Sequence, residues 1–270
     1  MASDQAELMS HVQDATSFHF PMGKHLDLPE VFGLQLTKFM VLELVAAAAI
    51  LVIFIPLARR IATGEAPKGR FWNFFEAMLV FIRDEVARPA IGAKDADRFL
   101  PYLWSIFFFV LFCNLLGMIP WAGSPTGALG CTAALAIMTV VVVIGSGIRK
   151  YGPVGFFIGQ VPHMELPLVM AVLIKPMIFV IEIMGIGITH FILALRLLAN
   201  MFAGHLVLAV ILGFIAAAAP LHILAWSGIT AASVFGAVAI SLLELFVAFL
   251  QAYIFAFLSA LFIGMAIHQH

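Results

Sequence analysis

Five long apolar segments follow one another along the chain, separated by short polar or turn-rich stretches. The predicted membrane-crossing segments are 39–58, 99–119, 131–148, 166–219 and 223–267. Each is long enough to cross a bilayer core, which takes about 18 to 20 apolar residues in an α-helix. Because a helix rises about 1.5 Å per residue, segment 223–267 would measure roughly 67 Å, about twice the core thickness. The pattern therefore predicts an all-α polytopic membrane protein with about five crossing helices, the last two long and strongly tilted.

A sixth segment, 71–88, has a different periodicity. Its apolar residues recur at helical spacing on one side, at Phe71, Phe74, Phe75, Met78 and Ile82. Its charged residues, among them Glu76, Arg83 and Asp84, lie elsewhere on the helical wheel. This pattern predicts an amphipathic helix that lies on the membrane surface. A helix within a soluble loop is the alternative.

The composition supports a membrane protein and narrows its chemistry. The chain is 63% hydrophobic and 11% charged, whereas soluble proteins carry about 25% charged residues. The apolar segments lack the alternating period of barrel strands. The two cysteines, Cys113 and Cys131, have no metal-ligand spacing, and no phosphate-binding glycine loop is present. We therefore expect one integral membrane domain, 1–270, without a metal, a cofactor, bound nucleotide or a nucleic-acid partner.

The basic residues predict the orientation of the chain. Lysine and arginine cluster in 59–70 and at 149–150, while the loops after the second and fourth long segments carry none. Basic loops stay in the cytoplasm, so the polar N-terminal segment, 1–38, is expected outside and the C-terminus inside. The membrane is expected to be the bacterial plasma membrane. His268 and His270 are expected to be solvated tail residues.

A few ionisable and amide side chains interrupt the two longest segments. They are Lys175, Glu182, His190, Arg196, Asn200 and His205 in the first, and Glu244 and Gln251 in the second. Ionisable groups inside a membrane are expensive and suggest a functional site. Arginine keeps its charge in proteins, so Arg196 cannot relay a proton and can only repel cations or attract an anion. The alternative is a structural role, in which Arg196 pairs with Glu182 or Glu244 to hold helices together.

Helical geometry distributes these groups along two helices. Arg196 and Asn200 share a face, one turn apart, and Glu182 falls within about 40° of the same face. His205 points to the opposite side from Arg196. Glu244 and Gln251 share a face of the last helix. Polar groups at several depths suit a relay for protons or ions better than one compact pocket.

Three stretches resemble the subunit a family of F-type ATP synthases. The arginine-containing stretch RLLANMFAGH is the most specific, and it is followed about 40 residues later by ELFVAFLQAYIFAFLSALF. The earlier stretch PYLWSIFFFVLFCNLLGMIP resembles a family span that ends in Asn-Leu-x-Gly-x-x-Pro. The resemblance covers most of the chain.

The resemblance implies a function for the polar residues. Subunit a lies beside a rotating ring of c subunits and provides two offset aqueous half-channels for protons. The family arginine, matched by Arg196, stands between the half-channels and favours a deprotonated carboxylate on the passing c subunit. The resemblance places Glu182, Asn200, His205, Glu244 and Gln251 on the proton path. Asn114 and His190 are secondary candidates.

The resemblance also implies the partners. They are the c-subunit ring, b-type peripheral stalk subunits, the F1 ATPase sector and the lipid bilayer. The chain would have no enzymatic activity by itself and would couple proton flow to rotation and ATP synthesis. A stand-alone ion channel or transporter and a membrane-embedded enzyme remain the alternatives. The resemblance further implies that the choice of coupling ion lies mainly in the c subunit.

Overall fold

The computed structural model describes residues 17–19, 25–31, 34–64, 69–119, 123, 125–159, 168–220 and 222–268. The N-terminal segment contains two short antiparallel hairpins. Strands β1 (Ser17–His19) and β2 (His25–Asp27) form the first, and β3 (Glu30–Val31) and β4 (Leu34–Gln35) form the second.

Apart from turns and short connections, the rest of the described chain is helical. Its helices are α1 (Lys38–Ala62), α2 (Arg70–Phe81), α3 (Arg88–Ile91), α4 (Ala96–Gly117), α5 (Leu129–Gly159), α6 (Leu168–Ala218) and α7 (Ile223–Ile267). A π-helical segment, Ile82–Ala87, joins α2 to α3, and a 3₁₀ turn, Pro125–Gly127, precedes α5. Five helices, α1 and α4 to α7, are long and apolar enough to cross a membrane. The prediction of an all-α polytopic membrane protein is confirmed for this part of the chain.

The helix bounds differ from the sequence-based ones in instructive places. Segment 131–148 is the clearest case, because α5 continues to Gly159. The extension follows a kink at Gly152, whose φ of 77° suits glycine, and Pro153 then begins a new helical stretch. Helix α1 likewise continues past residue 58 and includes Arg59 and Arg60 in its last turn. Basic residues stabilise a helix C-terminus, so they lie within the helix here and not after it.

The predicted surface helix also divides. Helix α2 ends at Phe81, and the π-helical segment carries Asp84 and Glu85 before α3 begins. The two long helices match the prediction closely: α6 has 51 residues and α7 has 45. At about 1.5 Å per residue, both exceed the thickness of a bilayer core of about 30 Å.

The chain forms two compact units, each assembled from pieces of several helices. The first comprises Met1–Pro56, Phe108–Thr132 and Arg196–Ala252. Within it, the rings of Phe54 and Phe108 lie 4.4 Å apart.

The second unit comprises Leu57–Phe107, Ala133–Leu195 and Tyr253–His270. Its helices are joined by hydrogen bonds from two aromatic side chains. Tyr102 donates to Thr139 Oγ1 at 2.9 Å, and Trp104 donates to the carbonyl oxygen of Leu79 at 3.0 Å. The prediction of a single domain is not tested by this division and stays a prediction.

Candidate functional site

Helix α7 carries two buried polar side chains on one face. Glu244 and Gln251 are seven residues apart, close to two full helical turns, so they lie one above the other. Glu244 is 5% exposed and Gln251 is 3% exposed. Glu244 Oε1 and Gln251 Nε2 have no hydrogen-bond partner among the described residues.

These two groups are unusual because buried polar atoms in proteins are nearly always hydrogen-bonded. A buried polar group without a partner costs about 1–3 kcal/mol of stability. Two such groups on one stripe of an otherwise apolar helix indicate a site that binds or passes something polar. Packing alone does not account for this pair.

Helix α6 contacts the Glu244 side chain at Gly204. A Cβ atom added to Gly204 would lie 2.6 Å from Glu244 Oε1, which is closer than atoms normally approach. The absence of a side chain at Gly204 therefore makes room for the carboxyl group. A second contact between the same helices involves Gly236, where an added Cβ would lie 3.8 Å from Ile211 Cγ2.

Together these contacts set the register of α6 against α7. Gly204 faces Glu244, and Ile211 faces Gly236. The second pair lies seven residues later along α6 and eight residues earlier along α7. The helices are therefore antiparallel and nearly one-to-one in register. Eight residues before Gly204 is Arg196, and eight residues after Glu244 is the residue that follows Gln251. Arg196 and Gln251 thus lie at about the same level along the two helices, within about one helical turn of 5.4 Å.

Arg196 lies at the edge of the packed face of α6. Its neighbour Leu197 is fully buried, as is Met201, whereas Arg196 is exposed. Ala199 and Ala203, on the same side as Arg196, are also exposed. Arg196 is therefore a guanidinium on an apolar, uncovered surface of the chain.

Arg196 makes no ion pair or hydrogen bond within the described part of the chain, and in particular none with Glu244. The structural alternative is therefore contradicted for a pair with Glu244, whereas a pair with Glu182 lies outside the described side chains and stays a prediction. Asn200, one turn after Arg196, is half-buried and likewise makes no hydrogen bond to the described residues.

Asn114, a secondary candidate, has a defined structural role on α4. Its side-chain nitrogen donates to the carbonyl oxygen of Ala248 at 3.2 Å, and its Oδ1 accepts from Thr126 Oγ1 at 2.7 Å. Ala248 lies between Glu244 and Gln251 on α7. Asn114 therefore holds the polar stripe of α7 at a fixed position against α4.

Several predicted site residues lie outside the description. The side chains of Glu182, His190 and His205 are not among the described residues, although their backbones belong to α6. His270 also lies outside the described part. No group of three or more histidine, cysteine, aspartate or glutamate residues that could hold a metal ion occurs within the described ranges.

The structure corrects one expectation and adds one residue. His268 is more than a solvated tail residue, because its Nε2 lies 2.9 Å from the carbonyl oxygen of Ile91 and 3.8 Å from Asp95 Oδ2. No local sequence pattern indicates this long-range contact. The sequence analysis did not predict a role for Gly204. Its position next to His205 within the stretch RLLANMFAGH could have indicated a close approach of another helix.

Comparison with known proteins agrees with these features. A sequence model of the ATP synthase A chain family matches residues 40–264. The chain is 40% identical to an ATP synthase subunit a from Myxococcus xanthus over 88% of this chain and 75% of the relative. It is 39% identical to an ATP synthase subunit a from Chloroherpeton thalassium, over 98% of this chain and 77% of the relative.

A third relative, an ATP synthase subunit a 2 from Chlorobaculum tepidum, is 40% identical over 96% of this chain and 72% of the relative. The family match includes Arg196, the polar stripe of α7 and Asn114 within its range. It extends over all five membrane-crossing helices, and the chain belongs to the ATP synthase A chain family.

Proposed function

We propose that this chain carries protons through the membrane sector of an F-type ATP synthase by two offset half-channels that Arg196 separates. The family shows that the chain is a component of the ATP synthase and takes part in proton translocation. The observation that carries the finer proposal is the polar arrangement on α6 and α7. Among the described residues, an exposed, unpaired Arg196 lies level with Gln251, and a buried, unpartnered Glu244 lies two turns away.

Arg196 suits the role of separator because its charge is permanent. A fixed guanidinium repels protons and other cations, so it blocks direct passage between two aqueous paths. Its exposed, apolar surroundings exclude water once a partner covers them, which strengthens its attraction for a carboxylate. The partner is expected to be a carboxyl group on a rotating c subunit, which Arg196 holds in the deprotonated form as the ring turns.

Gln251 and Asn200 are expected to position Arg196 or the arriving carboxyl group. Both are amides, so they can donate and accept hydrogen bonds without changing charge. Glu244 is expected to take up and release protons in the half-channel that opens to the outside, with His205 as its neighbour. Gly204, next to His205, supports this pairing because it lies against the Glu244 carboxyl group. Glu182 is expected on the other half-channel.

The partners of the chain follow from the same proposal. Besides the c-subunit ring, they are b-type peripheral stalk subunits and the F1 sector, in which ATP is made or hydrolysed. The chain itself is expected to have no enzymatic activity. A stand-alone channel or a membrane-embedded enzyme would not account for the family relationship.

The membrane orientation is a separate part of the proposal. The basic residues after α1 and at Arg149 and Lys150 favour an outside N-terminus and a cytoplasmic C-terminus in a bacterial plasma membrane. Gly64 and Ala219 are exposed and follow α1 and α6. In a cysteine-free background, Gly64→Cys should react with an impermeant maleimide only in inverted vesicles, and Ala219→Cys only in intact cells. Labelling of both from the same side would contradict the five-crossing orientation.

Arg196→Ala tests the central role. We expect it to reduce ATP-driven proton pumping by about 100-fold or more, as the loss of a preorganised electrostatic group does at other functional sites. Arg196→Lys should also fail, because lysine is a compact charge that loses its proton more readily when covered. Fluorescence quenching in inverted vesicles measures pumping, and subunit composition on a gel verifies assembly. Wild-type pumping by Arg196→Ala would make the charge structural.

A further inference from the structure

A cluster of arginine and aromatic residues lies where α1 ends and α2 begins. We name Arg59, Arg60, Arg70, Phe71 and Phe74 the arginine–aromatic patch. All five residues are exposed. None of them has a place in the proposed proton path.

The patch is held together by a contact between the two helices. The guanidinium carbon of Arg60 lies 4.8 Å from the centre of the Trp72 ring, a distance typical of a cation–π contact. Gly69, with a φ of 113°, turns the chain into α2 immediately before Arg70. The end of a membrane-crossing helix and the start of an amphipathic helix are therefore side by side.

The charges of the patch are not neutralised by any residue that the structure describes. Arg59, Arg60 and Arg70 form no ion pair with a described residue. At the far end of the same surface segment, in contrast, two arginines are paired. Arg83 and Arg88 both contact Asp84 Oδ1, at 3.1 and 2.8 Å.

The lowered pKa of Asp84 agrees with a carboxylate that is paired with those arginines. The hydrogen bond that Arg83 donates lowers the pKa of Asp84 below its ordinary value of 3.8. Two arginines thus share one acid at the far end, whereas the three cations at the near end have no acidic partner in the described ranges.

The aromatic side chains of the patch face away from the protein. Phe71 is 56% exposed and Phe74 is 58% exposed, while Phe75 beneath them is buried. The rings of Phe71 and Phe74 both pack edge-on against Phe75, at 5.0 and 5.4 Å between centres. They form an exposed apolar surface that begins next to Arg70.

We propose that the arginine–aromatic patch binds a phospholipid with an anionic headgroup. The arginines would contact the phosphate, since guanidinium groups match its oxygens with paired donors. Phe71 and Phe74 would contact the upper part of the acyl chains, as apolar residues of interfacial helices do. Basic residues at the end of a membrane-crossing helix are a common feature of anionic-lipid recognition.

An acidic protein segment is the competing occupant, and the aromatic residues favour the lipid. The exposed rings flank Trp72, which contacts Arg60 in the last turn of a membrane-crossing helix, so we expect them at the depth where headgroups meet acyl chains. A carboxylate-rich segment would match the arginines and leave these two rings uncovered.

The test compares two double variants in the intact, purified and delipidated ATP synthase complex. R59Q/R70Q removes two patch cations and keeps the contact between Arg60 and Trp72 that orders the turn. R83Q/R88Q removes the same number of charges from the far end of the segment. Each complex receives equal amounts of phosphatidylglycerol and phosphatidylcholine, and native mass spectrometry counts the lipids retained by this chain.

We expect the wild-type chain to retain phosphatidylglycerol in preference to phosphatidylcholine. R59Q/R70Q should weaken that preference by about 25-fold, about fivefold for each arginine, and R83Q/R88Q should keep it. The wild-type preference should also fall when salt is raised from about 0.1 to 1 M, because charge interactions are then screened. This salt series decides the question if R59Q/R70Q does not assemble.

Several results would overturn the proposal. One is a wild-type chain with no preference for phosphatidylglycerol, or one whose preference does not change with salt. Equal losses in the two double variants would assign the effect to net charge. Loss of another subunit from R59Q/R70Q, with lipid preference unchanged, would assign the patch to a protein partner.

Discussion

Polar residues at the C-terminal end of α7 have partners, whereas Glu244 and Gln251, farther back along the same helix, each bury an atom that has none among the described residues. At the end, His268 contacts the carbonyl oxygen of Ile91 and lies 3.8 Å from Asp95, which also lies 3.6 Å from Lys150 Nζ. Tyr151 donates to the carbonyl oxygen of Ile267 at 2.8 Å. Every group in this cluster contributes to fixing the end of the helix.

Farther back, Glu244 and Gln251 are buried with atoms that no described residue satisfies, and Arg196, level with Gln251, is exposed. The contacts at the helix end hold it against neighbouring residues, whereas a buried polar atom that stays without a partner costs about 1–3 kcal/mol of stability. The difference suggests how to look for a functional site in an apolar helix: polar groups that hold structure are satisfied within the chain, whereas the groups proposed for the proton path have atoms that no described residue satisfies.

Two glycines show the same contrast: Gly264, near the C-terminal end of α7, and Gly204 on α6, which faces Glu244. A Cβ added to Gly264 would collide with the backbone oxygen of Ala90, whereas the three atoms nearest to one added to Gly204 all belong to the side chain of Glu244. A backbone group cannot move aside without moving its helix, but a flexible side chain can. The same substitution should therefore damage the fold at one glycine and the function at the other.

Gly264→Ala is expected to have the larger effect. Forcing α3 and α7 apart should destabilise the chain by about 1–3 kcal/mol or more, as overpacking does. We expect less of the chain in the membrane and a lower melting temperature of the purified complex, measured by light scattering. Gly213→Ala on α6 is the matched control, because an added Cβ there meets nothing within 4 Å. Equal stability of the two variants would refute the close approach at Ala90.

Gly204→Ala should leave assembly and thermal stability near those of Gly213→Ala. It should displace the Glu244 carboxyl group and slow proton pumping several-fold, since a small misplacement of a positioned group is costly. The initial rate of quenching in inverted vesicles gives the measurement. A variant that pumps normally would show that the position of Glu244 is immaterial.

The sequence predicted the membrane helices well because their signal is local. Segment 223–267 has the bounds of α7, and the length of continuous apolar sequence is enough to find such a helix. Arg196, Glu244 and Gln251 were also visible as polar residues in apolar surroundings. The bends at Gly152 and at the π-helical segment were not, because a single glycine or a change of hydrogen-bond pattern has a weak sequence signature.

Contacts between helices that are far apart in the sequence could not be predicted from local sequence patterns. Nothing in the sequence links His268 to Ile91, or Asn114 to Ala248, since these pairs depend on how helices pack. The register of α6 against α7 is the same kind of information. Two glycine contacts, Gly204 with Glu244 and Gly236 with Ile211, define this register and place Arg196 level with Gln251.

The most direct test of the proposed proton path is an exchange of His205 and Glu244. Their separate changes, His205→Ala and Glu244→Ala, should each slow proton pumping while the complex still assembles. His205→Glu combined with Glu244→His keeps one acid and one imidazole, so it should recover more activity than the sum of the two single exchanges predicts. A double-mutant cycle on initial pumping rates, with assembly measured for every variant, gives that comparison. Recovery above additivity is the predicted result, and strictly additive losses would remove the pair from the proton path.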